Sequence, residues 1–139
     1  SKPGVLAAVS ERVSARVGSA RDGVRPGDVD GAVAALLAEY EDLGDGIVKM
    51  IALEGRVPEL APILARGRAV HRGWIERVFA DALESQPPAE RERRTVALIA
   101  ATDVLTWKVV RREQALAANP TRKVMTEMTR ALLESWGVR

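Results

Sequence analysis

The chain has 139 residues, 47% hydrophobic and 29% charged, the balance of one globular domain with its own core rather than of a disordered chain. It holds no cysteine, which excludes disulfides, thiolate nucleophiles and cysteine-ligated zinc. Its 21 cations are scattered among 19 acids for a net charge of +2, so no basic patch marks a nucleic-acid-binding face. No apolar run approaches the ~20 residues of a membrane span, and no basic-then-apolar leader opens the chain. A cytoplasmic location is expected.

Helix signals then follow one another along the chain. Ser1-Lys2-Pro3 reads as a cap with proline in the first turn, and Val5, Val9, Val13 and Val17 form one stripe on a helix ending near Ser19. Arg25-Pro26-Gly27 is a loop, and Asp28 caps the next helix. That helix is expected over residues 29–54, with Val29, Val33, Leu36, Leu37, Tyr40, Leu43, Ile47 and Ile51 on one side. Gly44 and Gly46 interrupt it, each at a cost of about 1 kcal/mol relative to Ala, so a kink near Gly44 is expected. Gly55 ends it as a left-handed cap.

A single turn is expected over residues 57–60 and a helix over residues 63–83, with Trp74, Val78 and Ala82 on one row. Gln86-Pro87-Pro88 stops it. A helix over residues 89–116 comes next, and Asn119-Pro120 opens the last one, which ends near Trp136-Gly137. No period-two strand pattern and no internal repeat appears. The expected fold is all-α, a bundle of about six helices.

The segment from Val96 to Val110 carries two apolar faces if it is one helix. Val96, Ile99, Ala100, Asp103, Trp107 and Val110 share the first; Leu98, Ala101, Thr102, Leu105 and Val109 share the second. A chain this small covers one such face with its own core, and the cheapest cover for the other is a second copy. On the last helix, Val124, Met125, Met128, Leu132 and Trp136 form a stripe, with Leu133 pointing elsewhere. The expected dimer seam is therefore Leu98, Ala101, Leu105, Val109, Met125, Met128, Leu132 and Trp136, in an intermolecular four-helix bundle built by the last two helices of each copy. Burial of both faces within a monomer is the alternative.

Among polar residues, Asp103 stands between Ile99 and Trp107, and a buried carboxylate needs a partner. It is a ligand-orienting group, the partner of an arginine or a backbone cap. Trp74 and Trp107 line a cavity or pack in the core. His71, the one histidine, has no metal-ligand spacing around it and reads as a helix-surface residue. Glu39, Glu41, Asp42 and Asp45 read as a solvated face, as does Glu90-Arg91-Glu92-Arg93-Arg94. No catalytic constellation, metal site or cofactor motif is present in the sequence, so an enzyme is not expected.

The run Ala100-Ala101-Thr102-Asp103-Val104-Leu105-Thr106-Trp107-Lys108-Val109-Val110-Arg111-Arg112-Glu113 resembles the penultimate helix of many TetR-family transcriptional regulators. His71-Arg72-Gly73-Trp74-Ile75-Glu76-Arg77-Val78-Phe79 is similar to the segment that precedes it in that family, and Ser1-Lys2-Pro3-Gly4-Val5-Leu6 looks like the seam after the DNA-binding domain. The resemblance implies a repressor-like homodimer whose regulatory domain binds a small, apolar effector. It divides the chain into a connecting helix over residues 1–21 and a ligand-binding and dimerisation domain over residues 22–139. It also implies that a helix-turn-helix of about 45 residues precedes Ser1 and alone contacts DNA. The implied pocket is lined by Tyr40, Leu43, Ile47, Met50, Trp74, Val78, Asp103 and Trp107. A helical dimeric scaffold that takes no ligand is the competing reading.

Overall fold

The computed structural model describes residues 20–139, and these form an all-α bundle. The helix expected over residues 5–19, and with it most of the connecting segment, lies outside the described residues; residues 20–22 are helical. The bundle consists of α1 (Val29–Leu53), α2 (Leu60–Val78), α3 (Ala80–Leu83), α4 (Pro88–Thr102), α5 (Val104–Lys108), a π-helical turn (Val109–Glu113) and α6 (Ala118–Ser135). No helix among the described residues is long and apolar enough to cross a membrane.

The long helix α1 starts where its cap signal places it, with the Asp28 carboxylate accepting the Gly31 N–H at 2.9 Å. Its stripe Val29, Val33, Leu36, Leu37 and Tyr40 is buried. It packs on α2, α5 and α6 and is the spine of the core. The expected interruption at Gly44 does not occur: α1 runs unbroken past both glycines. Nor does Gly55 take a left-handed conformation; Glu54 stays right-handed and the chain leaves through turns.

The residues 57–60 do not form a separate turn of helix: Leu60 already opens α2. Where one helix was expected to residue 83, α2 stops at Val78 and Phe79 breaks from helical geometry. The carbonyls left open at the ends of α2 and α3 are covered by donors from other elements. Gly27 N–H donates to the Val78 carbonyl at 2.8 Å. On α4, Arg94 donates to the Ala82 carbonyl, and Arg91 to those of Leu83, Glu84 and Gln86. The arginines expected to be a solvated face thus cap the end of α3.

The last helix closes with a left-handed Gly137 (φ 73°), its N–H bonded to Glu134 and that of Val138 to Leu133, the pattern that satisfies terminal carbonyls. Its buried face is Thr121, Met125, Thr129 and Leu133. Leu133, expected to point elsewhere, is core, and Met128 is exposed. Threonines also line α4 at Thr95 and Thr102. All four are at most 2% exposed, and each hydroxyl donates to the carbonyl four residues back. That bond satisfies the buried hydroxyl within its own helix.

Candidate functional site

The main departure from the sequence reading is at Asp103. Residues 89–116 do not form one helix. Asp103 is extended (ψ 152°), ends α4, and caps α5 with its own carboxylate, which accepts the Leu105 N–H at 2.9 Å. Of the roles open to it, the backbone cap is the one it fills. A break inside a bundle exposes carbonyls, and side chains cover them. Tyr40 Oη donates to the Thr102 carbonyl at 2.7 Å, and the Thr106 hydroxyl donates to that of Ala100. The Thr102 hydroxyl donates to the Leu98 carbonyl at 2.7 Å. Because the helix breaks at residue 103, the two apolar faces expected of a straight helix are not continuous.

Of the residues expected to line a pocket, Tyr40 and Trp107 meet beside the break, and both are buried. Trp107 is fully buried, with its ring 6.2 Å from that of Tyr40 and its indole N–H bonded to Glu41 at 2.8 Å. Val78 and Trp74 are core. Leu43, Ile47 and Met50 run along the second half of α1, half-buried, and Ile47 packs against the core.

Behind Tyr40 lies a buried polar joint that the sequence did not announce. Arg21, at the end of the helical residues 20–22, is 5% exposed. Its guanidinium donates to both carboxylate oxygens of Glu39, at 3.0 and 3.1 Å, and to His71 Nδ1 at 2.7 Å. It also stacks 5.1 Å above the Trp74 ring. The Arg21 carbonyl accepts from Trp74 Nε1 and from Arg77, which also donates to the Val24 carbonyl. Arginine can only donate, so His71 Nδ1 accepts and the ring proton sits on Nε2, 3.0 Å from Thr102 Oγ1. Burial, reinforced by the Arg21 charge, pushes the His71 pKa from 6.5 down to about 3, so the ring is neutral.

His71 is therefore not a surface residue, and Glu39 is not solvated. The signal for His71 was present: it shares the row of Ile75 and Val78 on the buried side of α2. For Arg21 and Glu39 no local signal exists, because their pairing is between residues eighteen apart and their partner His71 is on α2. With both ring nitrogens engaged, His71 is a relay that holds position, not a general base. No group of three metal-ligating side chains occurs among the described residues.

A second network fastens the segment after the break. Arg111 binds both oxygens of Glu41, and Arg112 pairs with Asp45 while lying 5.1 Å from the Trp107 ring. The Arg111 hydrogen bonds, helped by that of Trp107, hold the Glu41 carboxyl below its usual range. Glu41 and Asp45 thus tie α1 to the π-helical turn.

The expected seam divides. Leu98, Ala101 and Met125 are buried in the chain's own core and are closed to a partner. Leu132 and Trp136 are half-buried against that core, and Arg94 stacks 5.0 Å from the Trp136 ring. Leu105, Val109 and Met128 are exposed by 41–44%, and Val96 by 50%.

Among the described residues the surface carries open clefts. One, of about 220 Å³, lies beside the joint between Arg21, Asp22, Val70, Gly73, Trp74 and Arg77; another, of about 290 Å³, lies between Asp30 and the start of α6. Comparison of the chain with protein-family models, with curated proteins and with solved structures finds no match in any of the three.

Proposed function

We propose that this chain is the regulatory and dimerisation domain of a TetR-like transcriptional regulator, a repressor that controls DNA binding through a helix-turn-helix outside the residues given. The observation that supports this reading is the joint at Arg21. The helical residues 20–22 are anchored through Arg21, whose buried pair with Glu39 and bond to His71 make their position depend on the packing of α1 and α2. That is the mechanical requirement for an effector bound in the bundle to be felt at residues 20–22. The exposed Val96, Leu105, Val109 and Met128 supply the apolar surface of a homodimer.

The effector in this reading is a small, largely apolar molecule acting in the cytoplasm. It displaces side chains around Tyr40 and Trp107 instead of entering a preformed cavity, because those rings already occupy the interior. The same close packing favours a second reading, a dimeric helical scaffold without ligand. Thermal unfolding of the purified chain against a panel of apolar molecules, with light scattering for mass, separates them. A ligand at 100 times its Kd adds about 2.7 kcal/mol and raises the Tm clearly. A dimer stabilised by a few related compounds supports the regulator. A dimer indifferent to the whole panel supports the scaffold, and a monomer that responds to nothing removes the seam from both.

A further inference from the structure

We propose that His71 couples the helix end at residues 20–22 to the break at Thr102–Asp103, so that the two ends of the joint loosen together. Every polar group in the chain from Arg21 to Leu98 is engaged: guanidinium to Glu39 and His71, ring to Thr102, hydroxyl to the Leu98 carbonyl. No buried side-chain polar atom among the described residues lacks a partner.

Withdrawal of Arg21 leaves the Glu39 carboxylate buried without its cation and His71 Nδ1 without a donor. Both are costly in a site with 7% of each ion-pair side chain exposed. The ring keeps its stacking on Trp74 but loses the contact that fixes Nδ1 as the acceptor, and the hold of Nε2–H on Thr102 loosens. Thr102 is where the effect reaches the backbone. Its carbonyl is held by Tyr40, its hydroxyl belongs to the relay, and the next residue breaks the helix. A shift of Thr102 moves the Asp103 cap and with it α5, which carries Trp107. His71 is a positioning residue in this device. Its regulatory use rests on the function proposed above; the coupling itself does not.

Hydrogen exchange of the full chain tests it, read at the Val24 and Gly27 amides for one end and at Leu105 and Trp107 for the other. Thr102→Val keeps the shape and removes the oxygen facing His71. Arg21→Lys keeps the charge and removes the forked contact. Each is expected to speed exchange roughly tenfold at both ends while the α6 amides stay unchanged. In a His71→Leu background each is expected to act at its own end only. If either substitution stays local in the parent chain, or if its effect crosses equally well without His71, the proposal is overturned. A uniform rise that includes α6 also overturns it, since that is global loosening. Should Thr102→Val not fold, the Arg21→Lys pair decides alone. Coupled ends in a monomer that binds nothing would keep this inference and remove the regulator; independent ends in a ligand-responsive dimer would do the reverse.

Discussion

The ring of Trp107 lies so close to Gly44 that a Cβ at that position would stand 2.7 Å from its Cζ3 atom. The glycine read from the sequence as a weakness in α1 is instead the seat of the largest fully buried side chain. It lets α5 pack hard against α1 just after the break that aims Trp107 inward. Glu41, one turn earlier, holds the indole N–H.

Gly44→Ala therefore sets helix propensity against a clash. Alanine gains about 1 kcal/mol as a helix former, but Trp107 has no free space to retreat into. A net loss of about 1–3 kcal/mol is expected from urea unfolding. Gly46→Ala is the control on the same helix, where a Cβ meets nothing within 4 Å. It is expected to stabilise by up to about 1 kcal/mol. Equal effects at the two positions would refute this account of Gly44.

The pH dependence of stability isolates His71, since the chain has no other histidine. Its pKa is about 3 when folded, against an ordinary 6.5. The unfolded chain takes up a proton near pH 6.5 that the folded chain refuses until about pH 3. Stability is whole above 6.5 and falls as pH drops through that window. The groups facing the ring are Arg21 from the helix end, Glu39 from α1 through that arginine, Trp74 on α2 itself, and Thr102 with the Ile99 carbonyl on α4. Between pH 6.5 and 5 the slope should rise towards one proton, about 1.4 kcal/mol per pH unit. His71→Gln should flatten it, whatever its effect on absolute stability. Urea midpoints across that range give the answer.

Tyr40 is the single tyrosine, and burial pushes its pKa far above the ordinary 10.0. Its folded form keeps the proton that the unfolded form loses near pH 10, so stability present below that pH is lost as pH rises beyond it. Tyrosinate absorbance should appear only with unfolding, monitored in parallel by circular dichroism. Tyr40→Phe deprives the Thr102 carbonyl of its 2.7 Å donor and is expected to cost about 1–3 kcal/mol.

Ala115 follows the π-helical turn at φ 58°, a left-handed conformation that suits glycine and strains an L side chain. Ala115→Gly should stabilise the chain by up to about 1 kcal/mol, the relief of strain being partly offset by added freedom in the unfolded state. A loss of stability in thermal unfolding would mean that the turn is held by contacts the alanine methyl makes.

The extent of α1, the start of the loop at Arg25 and the last helix were legible because each depends on local signals: an apolar stripe with 3-4 spacing, an Asp at the cap, a Gly at the stop. The break at Asp103 was not. The apolar pattern of Val96 to Val110 continues on either side of it, and helix propensity has no way to register that Tyr40, sixty-two residues before Thr102, stands ready to donate to its carbonyl. The seam residues divided for a related reason: two faces inferred from a straight helix are interrupted by the break.

By itself the sequence determined the helical class and the rough order of the helices, since periodicity, capping and breakers act within a few residues of one another. Only the tertiary structure decided which polar groups are interior. Arg21, Glu39 and His71 come from three separate elements, and each is tolerable in the core only because the other two are there. A charge that is solvated on its own helix becomes a structural joint when a partner fifty residues away removes the water and supplies the hydrogen bond, and no local pattern carries that information.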